Sequence, residues 1–177
     1  MSILKVARMG HPVLREKARP LERADIKKPA VQRLIDDMID TMIEYHGVGL
    51  AAPQVHEGLR LFIAGLDGDD KENEESDREP VVIINPEVTP VGGDLVDGWE
   101  GCLSIPDIRG RVPRAREITL RALDRKGERI ELRVSDFQAR VIQHETDHLD
   151  GILFLDRMRS FESMTFLDEY ARYWAKD

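Results

Sequence analysis

Residues 135–151 read SDFQARVIQHETDHLDG, and two histidines in this stretch, His144 and His148, stand four positions apart. Residues at i and i+4 lie above one another on one face of a helix, so both imidazoles can reach a single metal ion. Glu145 directly follows the first histidine, where a carboxylate can act on a water held by that metal. The stretch therefore predicts a helix that carries half of a metal site.

The ends of this helix are also indicated by the sequence. Ser135 to Gln138 has the pattern of a capping box, and Gly151 is a plausible stop. The apolar residues Ile152 to Leu155 that follow are typical of a short strand.

The rest of the chain predicts a mixture of helices and short strands. Pro29 begins an amphipathic helix with apolar residues at helical spacing, which should end near Tyr45 to Gly47. A second amphipathic helix is predicted from about Phe161 to Trp174. Strands are predicted at 61–64, 81–85, 86–90, 94–96, 117–123 and 130–134, with a hairpin turn at 124–127. This order indicates one α+β domain over residues 1–177, with antiparallel sheets around a central metal-binding helix and with N-terminal and C-terminal helices.

Composition and charge exclude several classes of protein. The formal net charge is −8, and the segment Asp67 to Glu79 contributes −6 of it through eight acidic and two basic residues. We expect an acidic surface loop at about 67–79, and the near-neutral remainder argues neither for nor against nucleic acid. No run approaches the ~18 apolar residues of a membrane helix, and the N-terminus lacks a signal-peptide core. The single cysteine, Cys102, cannot form an internal disulfide and fits a reducing cytoplasm.

The identity of the third metal ligand is left open by the residues alone. Cys102 lies in a turn-like segment, Glu100 to Pro106, but a lone cysteine is often a small buried hydrophobe. Glu162 and Glu169 lie downstream, where a thermolysin-like protease could use one of them, although few residues remain to build a second lobe. The remaining histidines have no second candidate ligand at helical spacing and are expected to be capping or surface residues: His11, His46 and His56.

Three ordered motifs carry a family resemblance. The motif G-x-G-L-A-A-P-Q matches at Gly47 to Gln54, E-G-C-L-S at Glu100 to Ser104, and Q-H-E-x-D-H-L-x-G at Gln143 to Gly151. Together they resemble peptide deformylase, in its bacterial form with a C-terminal helix. The resemblance implies a metal-dependent hydrolase that removes the N-formyl group from N-formylmethionyl nascent peptides and releases formate.

The resemblance also implies a role for each residue of the reaction centre. Cys102, His144 and His148 would be the metal ligands, leaving a fourth position for water. Glu145 would be the general base and acid when the metal-bound water attacks the formyl carbon. The side-chain amide of Gln54 and the backbone N–H of Leu103 would stabilise the oxyanion. The family is associated with Fe(II), which is often replaced by zinc, nickel or cobalt, and the Irving–Williams order favours zinc over iron in affinity.

Further residues are expected to contact the substrate or the ligands. The glycine-rich segment can pair with the backbone of an extended peptide, and an apolar pocket should receive the methionine side chain. The candidate substrate-binding residues are Gly47, Val48, Gly49, Gly101, Arg109, Phe137 and Val141. Glu100 and Asp147 are candidates to accept a hydrogen bond from the ring N–H of a metal-binding histidine that does not face the metal. Arg140 is a polar residue on the metal-binding helix and is expected to face solvent at the pocket rim.

Two alternatives are weighed against the deformylase interpretation. One is a small thermolysin-like endopeptidase, and the other is a non-catalytic binding module that a metal stabilises. The expected partners are N-formylmethionyl peptides, with ribosome contact through the terminal helix implied by the resemblance only. No DNA or membrane partner is expected, and a cytoplasmic monomer is the simplest expectation.

Overall fold

The computed structural model describes residues 2–66 and 80–175. The predicted acidic loop at about 67–79 lies outside these described residues. Five α-helices are present in the described part: α1 Arg23–Ile26, α2 Pro29–Glu44, α3 Asp136–Leu149, α4 Phe154–Arg157 and α5 Leu167–Tyr173. The strands are β1 Gly49–Ala51, β2 Leu61–Ala64, β3 Val81–Pro90, β4 Leu95–Cys102, β5 Ile105–Ala115, β6 Glu117–Leu123, β7 Arg129–Ser135 and β8 Thr165–Phe166. Short 3₁₀ helices cover Pro12–Arg15, Ala52–Val55 and Phe161–Ser163.

The strands form two antiparallel sheets. A five-stranded sheet has the order β1-β2-β3-β6-β7, and a three-stranded sheet has the order β4-β5-β8. With helices packed beside them, these sheets confirm the predicted α+β class. No helix within residues 2–66 and 80–175 is long and apolar enough to span a bilayer.

The five-stranded sheet is covered by a helix on each face. Side chains alternate along a strand, so Phe62 of β2 points to one face, and Leu61 and Ile63 point to the other. Phe62 belongs to the same buried cluster as Ile142 of α3. Leu61 and Ile63 instead pack with Met38 and other apolar residues of α2. The predicted helix from Pro29 is confirmed, and its burial explains why its apolar residues recur at helical spacing.

The predicted helix that carries His144 and His148 is confirmed, but its predicted capping box is wrong. Helix α3 begins at Asp136 after Ser135, yet the Ser135 side chain makes no capping hydrogen bond. Instead, the backbone N–H of Asp136 donates to the carbonyl oxygen of Arg116 at 2.7 Å, which joins the helix start to the sheet. The predicted stop at Gly151 is confirmed by its φ of +72°. A Cβ there would lie 2.5 Å from the carbonyl oxygen of Arg15, so only glycine fits.

Several strands are longer than their sequence pattern predicts. The segments predicted at 81–85 and 86–90 form the single strand β3, with an irregularity between Ile84 and Glu87. Asn85 sits there at a φ of +52°, and its side-chain amide bonds both backbone groups of Leu21 at 2.9 and 2.8 Å. The prediction at 94–96 covers only the start of β4, and β5 was not predicted.

Two predictions in the C-terminal region are wrong. Ile152 to Leu155 is not a strand, because α4 begins at Phe154, whose side chain is 1% exposed in a third apolar cluster. The predicted helix from Phe161 to Trp174 is interrupted at β8, and only its second half forms α5. Strand pairing causes the interruption, since Thr165 and Phe166 pair with β5.

Candidate metal centre

Three potential ligands converge where α3 passes the end of β4. Their ligand atoms, on Cys102, His144 and His148, all lie within 4.8 Å of one another. The Sγ atom of Cys102 is 3.3 Å from Nε2 of His148. Among residues 2–66 and 80–175 no other group of three such side chains comes together, so Glu162 and Glu169 join no ligand cluster there. The sequence left the third ligand open, and the fold brings the thiol to the two imidazoles.

The donor set fits a divalent metal ion. Two imidazoles and a thiolate are a common set for tetrahedral zinc and related cations, with one position left open. Burial raises the pKa of the Cys102 thiol, but His148 and His144 outweigh this effect and hold it well below its ordinary value. Burial lowers the pKa of His144, and contacts with Cys102 and Glu100 raise it well above its ordinary value. The site therefore favours a thiolate, and a cation among these atoms would replace the protons they share.

Glu100 contacts His144 at the ring nitrogen Nδ1. Its carboxylate lies 2.9 Å from Nδ1 of His144 and accepts two hydrogen bonds from Arg114 at 2.9 and 3.0 Å. Burial raises the pKa of Glu100, but His144 and Arg114 hold it well below its ordinary value. An ionised Glu100 fixes the proton of His144 on Nδ1, so Nε2 can offer its lone pair to a cation.

Asp147 takes part in the same charge network without touching a metal-binding histidine ring nitrogen. Its carboxylate accepts from Arg114 at 2.5 Å and from Arg157 at 2.8 Å. The Nδ1 atom of His148 is buried without a hydrogen-bond partner. Asp147 therefore reaches the ligands only through Arg114 and Glu100, unlike the direct contact that the sequence suggested.

Arg140 is not at a solvent-facing rim as predicted. Its side chain is 12% exposed and donates to Glu100 at 2.8 Å. It also donates to the carbonyl oxygens of Val96 on β4 and Val112 on β5 at 2.6 and 2.7 Å. This arginine therefore ties α3 to the three-stranded sheet. The sequence could not show this role, because the carbonyls that satisfy the guanidinium come from strands distant in the chain.

Arg114, Gln143 and Ser104 are further site residues without a predicted role. The side-chain amide of Gln143 bonds both backbone groups of Ala115, at 3.0 and 2.9 Å, and so fastens α3 to β5. Arg114 carried no signal in the sequence, because its acidic partners Glu100 and Asp147 are distant in the chain. For Ser104, its place within the E-G-C-L-S motif was the signal.

Glu145 lies beside the ligand cluster as an unpaired carboxylate. Its residue is 4% exposed, and Oε2 has no hydrogen-bond partner. Burial raises its pKa to about 7, against the opposing effect of the two histidines. A Cβ placed on Gly49 would lie 2.7 Å from Cδ of Glu145, so the glycine allows the close approach of β1. A carboxyl with a pKa near neutrality can both accept and return a proton at physiological pH.

Gln54 is oriented by its neighbours. Its Oε1 accepts from the backbone N–H of Ala51 at 2.8 Å, so the amide nitrogen must point the other way. That nitrogen donates to Ser104 Oγ at 3.1 Å and lies 3.5 Å from Cys102 Sγ. Leu103 follows the thiol directly, and its side chain meets the glycine-rich segment at Gly47.

A cavity of about 500 Å³ joins these groups. It is lined by Gln54, Cys102, Leu103, His144 and Glu145, and also by Arg140. The predicted substrate-binding residues also line it: Gly47, Val48, Gly49, Gly101, Arg109, Phe137 and Val141. Other lining residues were not predicted, among them Tyr45, His46, Trp99 and Leu167.

The three remaining histidines lie away from the ligand cluster. His11 Nδ1 accepts from the backbone N–H of Val13 at 3.2 Å and caps the first 3₁₀ helix. His46 and His56 are exposed, and His46 also lines the cavity described above. These positions confirm the prediction of capping and surface roles.

A comparison with known protein families decides the assignment of the chain. The model of the family described as polypeptide deformylase matches residues 3–164. The chain belongs to this family. Peptide deformylases are hydrolases that remove the N-formyl group from nascent peptides, and metal dependence is a general property of the family.

Individual peptide deformylases are similar over nearly the whole chain. Peptide deformylase 2 of Nostoc sp. is 41% identical over 99% of this chain and 97% of its own length. The peptide deformylase of Heliobacterium modesticaldum is 44% identical over 90% of this chain and 97% of its own length.

Solved peptide deformylases share the fold. One is the class I type b enzyme of Acinetobacter baumannii, crystallised with Met-Ala-Ser bound. It superposes with a TM-score of 0.81 at 38% identity, covering 89% of this chain and 100% of its own. The enzyme of Thermotoga maritima superposes with a TM-score of 0.79 at 34% identity, covering 90% of this chain and 100% of its own.

Proposed function

We propose that this chain hydrolyses the formyl amide of N-formylmethionyl peptides in the cavity beside Glu145. The observation that carries the proposal is the convergence of three elements on one cavity. The thiol of Cys102 meets both histidines of α3, the unpaired carboxylate of Glu145 lies beside them, and the amide nitrogen of Gln54 points to the same place. Ligands, a proton carrier and an oxyanion donor are the groups that amide hydrolysis needs.

The ligand residues in this proposal are Cys102, His144 and His148. A divalent cation bound there would supply Lewis acidity and a water acidic enough to attack at neutral pH. Glu100 would keep His144 in the binding tautomer, with Arg114 holding Glu100 in turn. We include Fe(II) as the physiological ion, with zinc, nickel or cobalt able to occupy the same donor set.

Glu145 would move the proton during the reaction. As the water oxygen bonds to the formyl carbon, the Glu145 carboxylate takes the water proton at its unpaired oxygen. The same carboxyl then protonates the amide nitrogen as the carbon–nitrogen bond breaks. Formate and the amine of methionine leave the site, with the second proton of the water passing to the amine or to solvent, and Glu145 is again ionised. The pKa of Glu145, about 7, suits both halves of this cycle at physiological pH.

Gln54 and Leu103 would stabilise the negative charge on the formyl oxygen. Ala51 and Ser104 fix the orientation of the Gln54 amide, and the N–H that faces Cys102 Sγ would donate to the developing charge. Leu103 would add its backbone N–H from the turn that follows Cys102.

The substrate would lie along the glycine-rich segment. Gly47, Val48 and Gly49 expose backbone that an extended peptide can pair with. Phe137 and Val141 would contact the methionine side chain from α3, and Val141 is 5% exposed at the cavity wall. Arg109 packs over Gly101 and would bind peptide carbonyls from the opposite side.

The test is formate release from formyl-Met-Ala-Ser, measured under anaerobic conditions with metal content determined on the same samples. Wild type should release formate, and Glu145→Gln should keep its metal and lose turnover almost completely. Cys102→Ala should lose metal and activity together. Glu162→Gln should behave as wild type, because Glu162 lies outside the ligand cluster. A metal-loaded wild type that releases no formate would overturn the proposal.

The metal and the assembly need separate measurements. Elemental analysis of protein purified without oxygen should find iron, and exposure to air should reduce activity. We also propose a single catalytic domain over residues 1–177 that acts as a cytoplasmic monomer, which sedimentation and cell fractionation can check. The terminal helix carries Arg172 beside Asp168 and Glu169, so its charge gives no independent support for ribosome contact. Co-sedimentation with ribosomes would test that contact.

A further inference from the structure

Residues 7–9, here called the bridging segment, connect the two parts of the chain that carry the proposed oxyanion donors. The backbone N–H of Ala7 donates to the carbonyl oxygen of Gln54 at 2.7 Å. The backbone N–H of Met9 donates to the carbonyl oxygen of Ser104 at 2.8 Å. Gln54 belongs to the second 3₁₀ helix, and Ser104 belongs to the turn between β4 and β5. The bridging segment therefore joins two positions that are 50 residues apart in the sequence.

The two bridged positions also meet each other beside the ligand cluster. Nε2 of Gln54 donates to Oγ of Ser104 at 3.1 Å. Leu103, whose backbone N–H is the second proposed donor, directly precedes Ser104. Gln54 and Ser104 are 1% and 0% exposed, so both lie in packed surroundings. A shift of the 3₁₀ helix relative to the turn would change the distance between the two donors, and the bridging segment opposes this shift because it bonds the backbone of both.

The bridging segment is itself held by packing and by a tight turn. Ala7 is 2% exposed and belongs to the third apolar cluster. The backbone N–H of His11 donates to the carbonyl oxygen of Arg8 at 3.0 Å, and Gly10 has a φ of +105°, as in a type II turn. The ring of His11 lies edge-on to that of His56, at 4.7 Å, where the 3₁₀ helix that carries Gln54 ends. These contacts fix the bridging segment on both sides of its hydrogen bonds.

We propose that residues 7–9 are a positioning segment for catalysis, which holds the Gln54 amide and the Leu103 backbone N–H at the separation that the oxyanion requires. The inference rests on the proposed function, because it acts through the two donors assigned there. A donor stabilises developing charge when it is already in place, so a displaced donor lowers kcat. The described residues that line the cavity do not include Ala7 or Met9, so their side chains should not be needed for substrate binding.

Met9→Pro removes one of the two bridging hydrogen bonds and keeps the turn. Met9 is the second residue of the type II turn, where proline is favoured, and the proline ring removes the N–H that bonds Ser104. With formyl-Met-Ala-Ser as substrate, kcat should fall roughly tenfold, while KM and metal content stay at their wild-type values. Met9→Ala is the matched control, because it removes a side chain that is 52% exposed and keeps the N–H. It should retain the wild-type kcat.

A double-mutant cycle with Gln54→Ala tests whether the effect passes through the donors. In the Gln54→Ala background, Met9→Pro should lower kcat by roughly threefold or less, because one of the positioned donors is already absent. Thermal unfolding checks that each variant is folded. If Met9→Pro unfolds, the α-hydroxy acid analogue of methionine at position 9 takes its place, since it replaces the N–H by an ester oxygen without adding a ring. The same results are expected of it.

Three results would overturn the positioning role. They are a wild-type kcat in the variant that lacks the Met9 N–H, a loss that appears in KM or metal content instead, and an equal fold-loss of kcat in both backgrounds. Failure of the proposed function would look different. Wild type would then release no formate, or Gln54→Ala alone would keep the wild-type kcat.

Discussion

The carboxylate of Glu100 lies 2.9 Å from Nδ1 of His144, at the junction between β4 and α3. Because Glu100 is two residues before Cys102 on the same strand, one strand carries both a proposed ligand and the carboxylate that contacts a second proposed ligand. Arg114 and Arg140 hold the same carboxylate from β5 and α3. The candidate metal site is therefore built on the contact between the central helix and the three-stranded sheet.

Replacing Glu100 with glutamine should weaken metal binding. The substitution keeps the shape but removes the charge that fixes the proton on His144 Nδ1. Loss of such a supporting carboxylate reduces metal affinity by roughly 10- to 100-fold. Competition with a chromogenic chelator measures the change. Glu131→Gln is the control, since Glu131 lies on the exposed face of β7 and pairs with Arg121. Equal affinities in Glu100→Gln and wild type would refute the orienting role.

Arg114→Met should strongly destabilise the fold. Arg114 is 5% exposed and lies between the carboxylates of Glu100 and Asp147, which would both lose a buried partner. Removing one member of a buried ionic network costs about 3–5 kcal/mol of unfolding free energy. Denaturant unfolding of the metal-free protein measures it. Arg121→Met breaks an exposed ion pair and should leave the unfolding free energy nearly unchanged. Similar stabilities for both variants would contradict this account.

The sequence predicted the parts of the site that local spacing and ordered motifs determine. Helix α3 follows from the two histidines and their apolar neighbours, and Cys102 follows from the E-G-C-L-S motif. The environment of Arg140 could not be predicted in this way. An arginine on a helix normally reaches solvent, but here the carbonyls of Val96 and Val112 converge on it. Such a partner set depends on strand pairing between distant segments, which no local pattern encodes.

The C-terminal region shows the same limit. Residues 161–174 have apolar positions at helical spacing, and the sequence favoured one helix there. Pairing of Thr165 and Phe166 with β5 overrides that preference and moves the helix start to Leu167. The shift matters for function, because it places Leu167 at the cavity.

Asp156 should stabilise the protein in a way that disappears in acid. Partial burial raises its pKa, but hydrogen bonds from Arg15 and from the backbone N–H of Leu153 lower it below 3.8 overall. Since the folded state favours the ionised form, the contribution is complete above the ordinary pKa. It is lost as the pH falls from there through the lowered folded-state pKa.

Asp156→Asn should therefore destabilise the protein at pH 7 by about 0.5–1 kcal/mol, a small value because the ion pair with Arg15 is largely exposed. The difference from wild type should shrink towards zero as the pH falls below 3.8. Urea unfolding across this range measures the trend. Asp94→Asn, at another exposed position, provides the comparison. A destabilisation that stays constant into acid would show that the charge of Asp156 has no role.

Gly49→Ala should damage turnover while leaving the metal in place. A methyl group at this position would lie 2.7 Å from Cδ and 2.9 Å from Cγ of Glu145, so the carboxylate must move. The three heavy atoms nearest to this methyl group all belong to Glu145 and not to the proposed metal ligands. Displacing a reacting group by about 1 Å can cost roughly 100-fold in rate, so kcat should fall by that order.

Gly58→Ala separates this effect from a general effect of losing a glycine. A Cβ at Gly58 meets nothing within 4 Å, and the variant should keep wild-type kcat. Formate release and metal content measured on both variants complete the comparison. If Gly49→Ala retains wild-type kcat, the position of Glu145 beside β1 is not what turnover depends on. If Gly49→Ala instead loses its metal, the glycine is needed for the ligand cluster and not for Glu145. Only a fall in kcat with the metal retained supports the role proposed for Glu145.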